Sequence, residues 1–284
     1  MDGVVVVDKP AGMTSHDVVD ALRRRLGTRK VGHAGTLDPD ATGVLVLGVG
    51  RATRLLAYAQ AAPKRYAAVA RFGVTTTTQD ASGDVVERRP ARVAAADVER
   101  ALPRFTGAVE QVPPMVSAVK VGGERLYRKA RRGEEVERHA RRVVVYELAL
   151  TSFEPGDAPA ATLDVACSAG TYVRTLVHDL GAALGCGAHL ERLRRTEASG
   201  FTLADAVALD AVTAAELRPA SDAVRALPRV EVDAAAARAV RHGRPLPAPP
   251  GAGDGPAAIV HDDRLLAVYR RADDRLVADR VVSA

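Results

Sequence analysis

The chain opens with an apolar block, Val4 to Val7, and carries a second one at Val44-Leu45-Val46-Leu47. Both are short, unbroken and rich in β-branched residues, the pattern of strands buried on both faces of a sheet. Lys64 to Phe72 reads differently. Its two-residue period places Tyr66, Ala68, Ala70 and Phe72 on one face of a strand and turns Tyr66 toward a cleft. Val143 to Tyr146, Ala161 to Ala166 and His189 to Arg195 supply further strands, the last of them basic. Elsewhere the apolar period lengthens to that of a helix. Val18, Val19, Leu22 and Leu26 form one stripe, with Ser15 as the expected N-cap and Gly27 as the stop. Val173, Leu176, Val177 and Leu180 form another over 171–184, which puts Tyr172 and Arg174 in a first helical turn. Shorter helices are predicted at 52–60, 94–102, 203–209 and 214–217, while 73–90 shows turn chemistry at Ser82-Gly83-Asp84 and little periodicity.

The texture changes near 227. One strand, an Ala-rich helix reaching Val240 and a Pro- and Gly-rich stretch at 245–256 precede Ile259-Val260, Leu265 to Tyr269 and Leu276 to Ala278, joined by Asp-Asp turns. These short strands suit a small β barrel. At 284 residues the chain exceeds the usual single-domain size, so the expected division is a domain over 1–227 and a smaller one over 228–284.

The chemistry concentrates between Gly32 and Gly43. Glycines at 32, 35 and 43 allow sharp turns and close approach, and Pro39 biases Asp38 toward an extended backbone. A carboxylate is thereby held on a stiffened loop that runs directly into the strand beginning at Val44. Asp38 is therefore expected at the rim of a rigid sheet.

Charge adds a direction. Forty basic against 35 acidic residues leave +5, and the segment 120–142 alone holds nine basic and four acidic residues, an excess equal to that of the whole chain. Such a patch suits a polyanion, though a solvated surface face has the same composition. Cys167 and Cys186 are too few for a disulfide framework or a thiolate zinc site. The N-terminal residues lack a basic start and a cleavage site, and no apolar run reaches the roughly 18 residues that span a bilayer. A soluble, cytoplasmic protein without a membrane partner is expected.

Four separated segments resemble the TruB-type family of bacterial tRNA pseudouridine-55 synthases: Asp8 to Ser15, Gly32 to Gly43, Lys64-Arg65-Tyr66, and Gly170 to Leu176. Val112 to Lys120 and Leu193-Arg194-Arg195 extend the likeness. It implies an α/β (α+β) catalytic core built on a mixed sheet, an RNA-binding insertion near 120–142, a PUA-like RNA-binding domain over 228–284, tRNA bound through its T arm, and no cofactor. It also implies a monomer with no obligate protein partner. On this resemblance Asp38 is the catalytic aspartate, Tyr66 stacks on the target base and Arg174 pairs with the aspartate. His33 supports the extruded loop conformation, Tyr172 and Leu193 line the pocket, and Lys9, Arg54 and Lys120 complete the substrate-binding set. Arg54 departs from the family, which favours lysine there; the charge is kept.

The residues suit that chemistry. Pseudouridine formation breaks the bond from ribose C1′ to uracil N1 and remakes it through C5, so it needs no change in oxidation state but does need an ionised carboxylate. Whether that carboxylate acts as nucleophile or base stays open. Burial favours the neutral acid, and a guanidinium alongside opposes this. Extruding a stacked base costs roughly a few kcal/mol, and an aromatic platform returns about 1–3 kcal/mol. Phosphate contacts from 120–142 would position the RNA without reading bases. Two other classes fit parts of the sequence. An N-glycosidase would pair Asp38 with Asp40 and release free uracil, and a noncatalytic RNA-binding protein would function without Asp38. Within the family, a guide-dependent relative is a third possibility, disfavoured by the 120–142 insertion and the short chain.

Overall fold

The computed structural model describes residues 1–282 apart from 118, 119, 122, 127, 128, 130, 131, 133 and 135, and gives the backbone alone at 120, 121 and 125. The chain first lays down β1 (Gly3–Lys9), α1 (Ser15–Arg25), β2 (Val31–His33) and β3 (Thr42–Val49). A 3₁₀ turn (Gly50–Leu55) and α2 (Leu56–Ala61) lead to β4 (Lys64–Phe72), the hairpin of β5 (Val74–Thr76) and β6 (Val85–Arg88), α3 (Ala95–Ala101) and β7 (Gly107–Gln111). Two short strands, β8 (Lys120–Val121) and β9 (Glu124–Arg125), precede the long pair β10 (Arg141–Glu154) and β11 (Ala160–Cys167). α4 (Val173–Ala183), β12 (Ala188–Ala198), β13 (Phe201–Thr202) and β14 (Val207–Ala208) complete this half.

Ten of these strands form one mixed sheet, whose path runs β14-β1-β3-β12-β4-β11-β10-β7, with β2 on β3 and β13 on β12. The apolar blocks behave as their composition requires. Val4, Val6, Val44 and Val46 face one core cluster, and Val5, Val7, Leu45 and Leu47 face another on the opposite side with Val18, Val19 and Leu22 of α1. A third cluster joins the inward face of β4 to Leu163 and Val165 of β11 and to Val173, Leu176, Val177 and Leu180 of α4. β12 inserts between β3 and β4, parallel to the first and antiparallel to the second. Gly43 makes this possible: its φ is +101°, and a Cβ there would stand 2.2 Å from the carbonyl oxygen of Arg195.

Three expectations need correction. The N-cap of α1 is Thr14, whose hydroxyl accepts from the Asp17 amide while the Asp17 carboxylate accepts from the Thr14 amide; Ser15, one residue later, turns its hydroxyl to another loop. The stretch 203–209 is a short 3₁₀ turn followed by β14, because Val207 and Ala208 pair with Val7 and Asp8. The unpatterned stretch 73–90 holds the β5–β6 hairpin, in which Val85 and Val86 are exposed, so no alternation marks it.

From Arg229 the chain builds a second, curled sheet: β15 (Arg229–Glu231), β16 (Leu246–Pro247), β17 (Pro256–His261), β18 (Arg264–Ala272) and β19 (Arg275–Val281), in the order β15-β17-β18-β19-β16, with α5 (Ala234–Arg241) against it. Its Ala258 and Val268 join the cluster that includes Ala52 and Leu55, and the Tyr58 hydroxyl donates to Asp279 at 2.7 Å. Among the described residues no helix is long and apolar enough to cross a membrane.

Candidate active site

Asp38 lies on the loop between β2 and β3, and the loop is pinned on both sides of it. The Ser15 hydroxyl accepts from the amide of Leu37 at 2.8 Å and donates to the Leu37 carbonyl at 3.2 Å. The Lys9 ammonium donates to the carbonyls of Pro39, Pro10 and Met13 at 2.8, 2.8 and 2.5 Å. Lys9 is fully enclosed, and burial pulls its pKa down to about 8 against the attraction of Asp40 and Asp38. It was expected among the substrate-binding residues; the structure instead places it beneath the loop, with its donors on backbone oxygens. Arg195, also enclosed, donates to Val44 and Gly35 carbonyls and so holds the loop to β3.

α4 brings Arg174 to this loop. Its Nη2 stands 3.6 Å from Asp38 Oδ1, an ion-pair distance too long for a hydrogen bond. The Arg174 side chain is only 5% exposed. Its stronger contacts lie elsewhere: Nη1 donates to Asp80 Oδ2 at 3.1 Å and Nη2 to the Val116 carbonyl at 2.6 Å. The Tyr172 ring lies 5.8 Å from the guanidinium carbon. Arg174 is thus shared between two carboxylates.

Those carboxylates differ in state. Burial pushes the Asp38 carboxyl above the ordinary aspartate value; Arg174 opposes this and the negative charge of Asp80 adds to it. Burial also works against the charge of Asp80. There, hydrogen bonds from Ser82 and Thr78, together with Arg174, win and hold it below the usual range. The surroundings of Asp80 favour its charged form, whereas Asp38, 43% exposed, is the carboxylate that a ligand can reach.

Tyr66, Leu37, Ala41 and Val173 belong to one buried cluster against which Leu193 packs, so the tyrosine ring and Leu193 sit under the same loop as Asp38. Tyr66 is 7% exposed, and burial raises its hydroxyl pKa although Arg195 opposes this. Asp38, Tyr66, Tyr172, Arg174 and Leu193 are therefore brought together. His33 closes β2, where it pairs with Leu47, at the start of the loop that carries Asp38, and Arg54 is exposed on the 3₁₀ turn beyond β3. Lys120 lies in β8, and its side chain is outside the described residues, as is much of the basic segment. The sequence reading missed Asp80. Its one signal was local: a serine two residues on and a threonine two residues before, the spacing of a side-chain-capped turn.

This sheet and its site define a class. Over 99% of the chain, the fold matches that of the protein in the structure of an H/ACA RNP bound to a substrate RNA containing 2′-deoxyuridine, at a TM-score of 0.74 and 25% identity, with 85% of that chain covered. It likewise matches a Cbf5-Nop10-Gar1 complex at 0.74 and 28% identity, over 99% of this chain and 84% of the other. The particular family follows from sequence. Residues 23–173 match the N-terminal domain of the TruB family of pseudouridylate synthases, and 174–230 match the tRNA pseudouridylate synthase B C-terminal domain. The tRNA pseudouridine synthase B of Symbiobacterium thermophilum is 54% identical over 86% of this chain and 82% of its own. That of Thermobifida fusca is 51% identical over 94% of each. The chain belongs to the TruB family, and it is an isomerase that converts uridine to pseudouridine.

Proposed function

We propose that the chain isomerises uridine 55 in the T loop of tRNA, with Asp38 as the reacting carboxylate on an extruded base and without a cofactor. The observation that carries this reading is the pairing of a reachable carboxylate, Asp38, with a buried guanidinium, Arg174, whose other side is neutralised by Asp80. The arrangement opposes neutralisation of Asp38 while leaving it open to a ligand, which is what attack on the nucleoside, or removal of a proton from it, requires. In this reading Tyr66 presents its ring to the base, and Tyr172 and Leu193 border it. His33 at the end of β2 and Arg54 on the 3₁₀ turn after β3 meet the rest of the RNA loop. Lys9 serves by holding the Asp38 loop.

The 120–142 segment and the sheet after 228, read as a PUA-like module, supply phosphate contacts whose strength falls with salt. No protein partner is needed, and the chain acts as a monomer. The test is a T-arm hairpin labelled with tritium at uracil C5. Isomerisation replaces the C5 proton with the bond to C1′, so tritium enters water as turnover proceeds. Release with no guide RNA and no free uracil supports the proposal; free uracil, or no release, refutes it.

A further inference from the structure

The helical turn that carries Arg174 is gripped by a side-chain amide on either side of that residue. Gln111, the last residue of β7 and almost fully buried, receives a hydrogen bond from the Tyr172 amide at 3.0 Å and donates to the Tyr172 carbonyl at 3.2 Å. Tyr172 is the N-cap of α4 and has no side-chain cap of its own. One primary amide therefore satisfies both backbone groups of the cap, as a neighbouring strand would. On the other side, the buried Thr175 hydroxyl donates to Gln79 Oε1 at 2.8 Å.

Gln79 itself is held in an unusual backbone state. Its φ is +65°, the left-handed region that a side chain other than glycine, asparagine or aspartate seldom enters. Its amide donates to the Thr76 carbonyl, and its own carbonyl accepts from Leu190 of β12. The next residue is Asp80, which bridges Leu190 and receives Arg174. Residues 79 and 80 of the loop thus hold residues 175 and 174 of the helix. Gln111 also begins the segment that carries Val116, whose carbonyl takes the other Arg174 nitrogen.

We infer that Gln79 and Gln111 are positioning residues: the two amides clamp the first turn of α4 and so set the distance of the Arg174 guanidinium from Asp38. This rests on the Asp38 and Arg174 reading above. Neither amide reaches the reacting atoms. Their effect is to be read in the chemical step, not in the binding of RNA.

The Gln79→Gly variant separates this role from a merely structural one. Glycine relieves the left-handed backbone, so thermal stability is kept or raised, while the bond to Thr175 is lost. Single-turnover tritium release from the T-arm hairpin is expected to fall about tenfold with RNA affinity unchanged, and Gln79→Asn to lie between Gly and wild type. Gln111→Met, which keeps the volume and removes both hydrogen bonds, is expected to slow the same step. Thr175→Val combined with Gln79→Gly is expected to be no slower than either alone. A Gln79→Gly rate within twofold of wild type overturns the inference; so does a rate that falls only in step with RNA affinity or melting temperature. Wild-type enzyme and Asp38→Asn run in parallel test the underlying reading separately. If the wild type releases no tritium, that reading fails rather than the clamp.

Discussion

The Lys9 ammonium and the Pro39 carbonyl meet at 2.8 Å, immediately behind Asp38, the residue proposed to carry the reacting carboxylate. The lysine joins the end of β1 to a loop that has little regular backbone pairing of its own. Lys9→Met keeps the length of the stem and removes the charged donor from the carbonyls of Pro39, Pro10 and Met13, of which Pro39 keeps the Gly12 amide as a second donor; each lost bond to a charged group is worth about 1.5–3 kcal/mol. The variant is expected to melt several degrees lower and to lose turnover more than its RNA affinity falls. Unchanged melting and rate would show that the lysine does not hold the loop.

Asp38→Asn is expected to abolish tritium release and to raise stability at neutral pH. The raised folded-state pKa means that the native protein binds this proton more tightly than the unfolded chain does. Between the ordinary aspartate value and the raised one, stability therefore falls as pH rises, and the cost persists above that window. Asparagine removes the charge and with it this slope. Urea titrations of both proteins across the acid range give the answer: a variant less stable than wild type at neutral pH contradicts the assigned sign.

Under the proposed mechanism the acid limb of the rate profile is expected to follow the same carboxylate. Asp80 raises the pKa of Asp38 and Arg174 lowers it. Asp80→Asn should move the limb to lower pH, and Arg174→Met should move it to higher pH. Arg174→Lys cannot reach Asp38, Asp80 and Val116 together, because one ammonium replaces a planar fork, and should cost about 100-fold in rate. Single-turnover rates from pH 4 to 8, run on the labelled hairpin, test all three; limbs that coincide would remove Asp38 as the titrating group.

Tyr66 separates ring from hydroxyl. Under the proposed stacking role Tyr66→Phe keeps most of the rate, whereas Tyr66→Leu forfeits about 1–3 kcal/mol of base stacking. The measurement is single-turnover release with affinity recorded alongside. Equal rates for the Phe and Leu variants would leave the ring with a packing role only.

The sequence disclosed those parts of the site that local chemistry marks. Asp38 stood out because glycines and a proline surround it, and the strands at Val4 and Val44 because a run buried on both faces leaves no polar positions. Arg174 was placed in the first turn of its helix by the stripe of Val173, Leu176, Val177 and Leu180. Lys9 and Arg195 were harder, since an enclosed cation looks like an exposed one until its carbonyl partners, distant in sequence, are known. Asp80 was harder still. Its role comes from a guanidinium on α4 and from the pairing of its loop with β12, and neither leaves a period in 73–90. The side chain at Lys120 and much of the basic segment lie outside the described residues.

The place of β12 in the sheet has a further consequence. β3 and β4 follow one another closely in the chain, yet β12 must enter between them before either is fully paired. A nascent chain that has exposed only the Asp38 loop and Tyr66 therefore carries two open strand edges, and the pocket closes only after residues near 195 leave the ribosome. Long-range pairing of this kind is slow and leaves aggregation-prone intermediates. Chains truncated before β12 are expected to stay uncompacted in pulsed hydrogen exchange, with β3 and β4 gaining protection together when that strand is restored.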